Sequence, residues 1–321
     1  MGQAERSEQQ QGGVRRFDKP SDDLELAYAK ALGILERDAV RMADVPKDPE
    51  TRKRHESRLS KKETEIASLA KSPEKMRDYK YSRVLEALVH DAVSRFGVFG
   101  KDTRSLPASK YDDLINGVDE LKELEQPAAK PEYLALALDT THGRGSGLID
   151  KFNTIERQVH DGIQTRIDYF KSDKNPALTE LDSVPRVIVG TEKKHLDELI
   201  SLWLQEDRTR LEKHPVFLMI LQQAVSELVV FKMINERTFK KMERDPYVEK
   251  DRKERLGRAI AAQERTGTIL EKILATRLAS MSAKEQVDYR YFRLTDRVDK
   301  AIKAEAGELL TGRRSPERRH P

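Results

Sequence analysis

Residues 134–139 read LALALD, and this short run limits the fold more than any other stretch of the chain. It holds no polar residue before its end and is too short for a buried helix, so it describes a central strand covered on both faces. Period-2 counting sets Leu134, Leu136 and Leu138 on one face and Ala135, Ala137, Asp139 and Thr141 on the other. A strand of that kind needs neighbours and covering layers. A β-branched run, VPRVIVG at 184–190, supplies a second buried strand, and a further strand is expected around Leu114–Leu121. The connecting EQPAAKPE carries two prolines that forbid a helix through it.

Nearly everything else reads as helix. Charged residues make up 36% and hydrophobic residues 37% of the 321, with aromatics at 6%, the balance of helices that bury one stripe and expose a charged face. Ser21-Asp22-Asp23 precedes a helical stripe from Leu24 to Leu35, expected to end near Met42. Residues 50–71 give a more exposed helix, and Tyr81, Val84, Leu85, Leu88, Val89, Ala92 and Phe96 give a buried one stopped by Gly97. Leu148–Phe170 reads as one long helix behind the flexible GRGSG loop. After Thr191 only helices are expected: one with Trp203 on its apolar face, a very apolar one at Phe217–Ile234, and charged ones at 236–280 and 284–310. The expected organisation is a disordered arm (1–20), an N-terminal helical region (21–77), an α/β core (78–192), a C-terminal helical region (193–310) and a basic disordered tail (311–321).

Composition excludes some chemistry. There is no cysteine, hence no disulfide, thiolate zinc site or cysteine nucleophile, which suits the reducing cytoplasm. The 60 Lys and Arg against 56 Asp and Glu leave a formal +4, too balanced to announce nucleic acid by net charge. No apolar run is expected to cross a bilayer, and MGQAERSEQQQGG is not a secretory signal. GRGSG lacks the Lys-Ser or Lys-Thr of a phosphate-cradling loop. His90, His160, His195 and His214 lack paired zinc spacing. The basic runs at 52–62 and 237–245 read as solvated faces that could also track a phosphate backbone.

The acids hold more interest. Paired as a hairpin, the strands bring Asp119 near Asp139, and close carboxylates repel unless a proton or cation sits between them. They are either strand-end acids that cap and decorate the hairpin, or ligands of a hard divalent cation such as Mg²⁺. Glu86, beside Leu85 and Val89 on the preceding helix, is a third oxygen donor or else the partner of Arg83 or His90. Asp112 and Asp113, next to Asn116-Gly117, read as turn and capping residues.

A helix with Glu86, then DDLINGVD, then LALALDTT, then a helix and VPRVIVG, resembles the core of the PD-(D/E)XK nuclease superfamily over residues 78–192. The resemblance implies a core of helix, three-stranded meander, helix and strand within a helix-dominated chain. It implies Asp119 and Asp139 as metal-binding acids, Glu86 as an accessory acid, Mg²⁺ or Mn²⁺ as cofactor, and DNA or RNA as substrate. The family's lysine, two residues after the second acid, is Thr141 here. Lys151 on the following helix is the substitute implied, with Arg157 behind it. The rival expectation is a non-catalytic adaptor or scaffold that retains a degenerate core and binds a protein partner through its charged helices.

Overall fold

The computed structural model describes residues 20–69, 71–124, 135–143, 146–161, 165–172, 176–245 and 249–311. Residues 1–19 of the expected arm, the EQPAAKPE link and the basic tail beyond Thr311 lie outside the described residues.

Helix α1 (Pro20–Asp38) begins one residue before Ser21 and ends four residues short of Met42, and α2 (Pro49–Leu69) follows a single 3-10 turn. Helix α3 (Pro73–Phe96) starts where the Ser72 hydroxyl accepts the Lys75 N–H. It stops at Gly97, whose φ of 57° is the left-handed cap a glycine adopts without strain. Strand β1 (Arg104–Pro107), short helix α4 (Lys110–Leu114), β2 (Glu120–Glu123) and β3 (Ala135–Thr141) come next. Helix α5 (Ser146–Asp161) leads to β4 (Thr165–Ile167), β5 (Leu181–Val184) and β6 (Arg186–Gly190). The remainder is α6 (Lys193–Leu204), α7 (Arg208–Glu212), α8 (Pro215–Glu243), α9 (Lys250–Ala279), α10 (Ala283–Thr295) and α11 (Arg297–Thr311).

One sheet has the order β1-β2-β3-β6, antiparallel except for the parallel β3/β6 pair that α5 spans, and β4 and β5 form a separate ribbon. Its two faces divide as the alternation of LALALD requires. Leu136 and Leu138, with Val187 and Val189, join a core built by α1, α3, α6, α8 and α9. Ala135 and Ala137 pack instead with Leu106, Leu121, Ile167 and Phe170.

Four expected elements differ. Residues 114–121 are not one strand: Ser109 caps α4, Gly117 turns the chain at a φ of 67°, and only Glu120–Glu123 is extended. The helix expected through Phe170 ends by Asp161, and Ile167 and Phe170 instead pack under the sheet. Helix α8 runs unbroken to Glu243, whereas residues 284–310 split at Asp296. The β1, β4 and β5 strands had no sequence signal.

Contrary to the sequence expectation, the segment holding α8 is long and apolar enough to cross a membrane by length and composition. Its Phe217, Ile220, Leu221, Ala224 and Leu228 nevertheless lie in the protein core. Helix α8 also closes the free edge of β6. Glu227 accepts the Ile188 N–H at 2.8 Å, and the Gln223 amide accepts from Gly190 N (2.8 Å) while donating to Gly190 O (3.0 Å).

Candidate functional site

Extending the β2/β3 register from Glu120↔Leu138 by one residue sets Asp119 against Asp139. Asp119 immediately precedes β2, and its own N–H donates to Leu138 O at 3.1 Å. Its Oδ2 takes the Thr140 N–H at 2.6 Å and the Thr140 hydroxyl at 2.9 Å, so the side chain finishes the ladder where main-chain pairing ends. The strand-end role is therefore real. It leaves Oδ1 without a hydrogen bond or ion pair among the described residues.

Asp139 is buried on β3, and both its oxygens are paired. Lys151, one turn into α5, donates to Oδ1 and to Thr140 O, and Arg186, the first residue of β6, donates to Oδ2. Lys151 reaches the acid as expected. Arg157 turns away along its own helix, bonding Asn153 O and Thr154 Oγ1. On α3, Glu86 is buried and its Oε2 pairs with Arg83 at 2.6 Å, while Arg83 also holds Asp113 Oδ2 at 2.6 Å. Asp112 is structural: it accepts the Asp168 and Tyr169 N–H groups at 2.7 and 3.0 Å and anchors the β4 segment.

The electrostatics follow from burying acids together. Burial, then the neighbouring Asp139 carboxylate, push Asp119 up to about 7. Burial raises Glu86 well above the usual carboxylate range despite Arg83, with Asp119 and Asp113 adding to the effect. Burial opposes the charge on Lys151, but Asp139 and Asp119 outweigh it and hold its ammonium above the ordinary value. Asp119, Asp139, Glu86 and Lys151 thus act on one another as a single cluster. Four acids, Asp113 included, face three cations, so the set is net negative only when all four acids are ionised.

Clustered carboxylate oxygens suit a hard divalent cation, which displaces the protons that burial favours on them. Asp119 Oδ1 and Glu86 Oε1 meet no protein donor among the described residues, so the donor set fits in its chemistry. In the present arrangement no three His, Asp or Glu side chains among the described residues are gathered to hold a metal. Lys151 and Arg186 take the oxygens of Asp139, and Arg83 takes one of Glu86.

Sequence reasoning missed Arg186, although a lone cation in the buried run PRVIVG was the available signal. It also missed a second network on the opposite face of the sheet. There the wholly buried Lys122 donates to Ser105 Oγ at 2.6 Å and pairs with Glu120, which also meets His90 Nδ1 at 2.9 Å. Trp203, expected on an apolar helix face, is structural and donates to Asp91 at 3.0 Å in the core; His142, next after Thr141, bonds Asp78 O at 2.9 Å. In the basic run of α2, Arg52 and Arg58 bond Val45 O and the Tyr111 hydroxyl. No family model, no curated protein and no solved structure matches the chain.

Proposed function

We propose that residues 78–192 form a cytoplasmic nuclease-like core, akin to the PD-(D/E)XK superfamily, that hydrolyses nucleic-acid phosphodiester bonds. The observation that carries this reading is Asp119 set against Asp139 at the end of β2 and β3 with Lys151 of α5 on Asp139. The order α3, β1-β2-β3, α5, β6 supports it. Asp119, Asp139 and Glu86 would hold Mg²⁺ or Mn²⁺, which when bound supplies positive charge for the scissile phosphate and lowers the pKa of a coordinated water. Thr140 fixes the Asp119 carboxylate through two donors, and Arg83 restrains Glu86. Lys151, partly exposed, is the ammonium available to orient the attacking water and offset charge on the phosphate.

A protein-binding scaffold is the second reading, and one observation favours it. Helix α10 exposes Val287, Tyr291 and Leu294 at helical spacing, an apolar stripe of the kind that partners cover. The deciding assay incubates the full chain with single- and double-stranded DNA and RNA in Mg²⁺, Mn²⁺ or EDTA. Cleavage that needs the cation and drops by at least a hundredfold in Asp139→Asn and Lys151→Ala is expected. No cleavage of any substrate, or cleavage unaltered by both substitutions, overturns the nuclease.

A further inference from the structure

The guanidinium of Arg186 is the least expected group beside the acids. Register pairs Arg186 with Ala137, two residues before Asp139, and parallel neighbours share a face. A methyl at Ala137 leaves room for the long side chain to cross the strand and reach Asp139 Oδ2. The same Nη2 that meets Asp139 also donates to Gly117 O, and Nη1 donates to Asn116 O at 3.3 Å, so the guanidinium is held on the turn as well. A Cβ on Gly117 would lie 2.9 Å from Nη2, so the turn is shaped around the guanidinium as well as by its positive φ. Arg186 is 8% exposed, whereas the Lys151 side chain is 29% exposed and comes from the first turns of a helix. Of the two cations on Asp139, Lys151 is the one free to shift.

We propose that Arg186 is a resident counter-ion of Asp139 that weakens the grip of the acid pair on a divalent cation. This rests on the nuclease reading of the site. A cation joining Asp119 to the Oδ1 that Lys151 can vacate sits a few ångströms from the fixed positive charge on Oδ2 of the same carboxylate, and that repulsion is strong where water is scarce. The fold keeps the charge because it does two other things: it gives Asp139 Oδ2 a fixed partner when no metal is bound, and it ties β6 to the Asn116-Gly117 turn that delivers Asp119. Such a site binds its ion weakly and gains from a phosphate that brings further negative charge.

The test is a titration of the full chain with MnCl₂ alone, read by the loss of the free-ion electron paramagnetic resonance signal, for wild type, Arg186→Gln, Arg186→Met and Arg186→Lys. Circular dichroism confirms folding, and Met is included because it keeps the apolar stem if Gln does not fold. The expected result is Mn²⁺ binding at least tenfold tighter in the Gln and Met proteins, wild-type-like in the Lys protein, and lost again when Asp139→Asn is added. Binding by wild type that is unchanged or weaker in the Gln and Met proteins overturns the counter-ion while leaving the nuclease site standing. No site-bound Mn²⁺ in any of the proteins overturns both.

Discussion

Asp119 gives the cluster an unusual pH response. Its folded value of about 7 lies above the roughly 3.9 of an unfolded aspartate, so between the two the native state holds a proton that the unfolded chain has lost. The stability this group contributes is complete below pH 4 and is lost as pH rises through 7. Asp119→Asn keeps an acceptor for Thr140 and removes the charge. In metal-free buffer it should flatten the pH 4–8 stability profile and exceed wild type at pH 8 by on the order of 2–4 kcal/mol. Parallel wild-type and variant melting curves across that range would contradict the assignment. Asp139→Asn should move the other way, because it strips Lys151 and Arg186 of their shared counter-ion, at about 3 kcal/mol. Thermal melts of the two variants at pH 8 should therefore bracket wild type.

At the level of elements, legibility followed burial chemistry. LALALD and VPRVIVG were readable because both are apolar and bounded. Strand β2 was readable only at its first residues: Glu120-Leu121-Lys122-Glu123 is charged at three of four positions yet wholly buried, its charges partnered by one another and by side chains such as Ser105 and His90. Hydropathy cannot see a strand whose polar residues find partners only in the folded state. Asp139 was legible from period-2 counting, Asp119 from the expected hairpin pairing, and Lys151 only through the resemblance; Arg186 needed the β3/β6 register, which pairs residues 49 apart. Helix α8 offers its own test. Burial pushes the Glu227 carboxyl well above the usual range, and its Oε2 serves Ile188 as a hydrogen-bond acceptor. Glu227→Gln should cost about 1 kcal/mol or less, whereas Glu227→Ala, which orphans a buried N–H and opens a cavity, should cost about 3 kcal/mol in urea unfolding. Equal losses would mean the carboxylate charge matters after all.

Across the whole molecule, the helical regions are not appendages. The largest apolar cluster takes Leu24 and Ala31 from α1, Leu85 and Leu88 from α3, Leu136 and Val187 from the sheet, Trp203 from α6, Phe217 and Leu228 from α8 and Leu270 from α9. The sequence showed where the α/β segment lies but not that its strands are covered by helices distant in the chain, since periodicity reports which face is buried and never against what. A chain cut to residues 73–192 would expose Leu138 and Val189 to water, and it should show neither dispersed amide resonances nor a cooperative melt. The full chain should unfold in one transition by circular dichroism and by Trp203 fluorescence alike.

The hydrogen bonds from Gln223 and Glu227 to β6 also have a consequence in time. Chains are made from the amino end, so the four strands of the sheet leave the ribosome before α8 does. In that interval β6 presents bare Ile188 and Gly190 main-chain groups beside Val187 and Val189, a template on which a neighbouring nascent chain can add a strand. Helix α8 is thus a late seal on an adhesive margin. A chain slowed or broken between residues 191 and 215 would be expected to clump with its siblings rather than merely unfold.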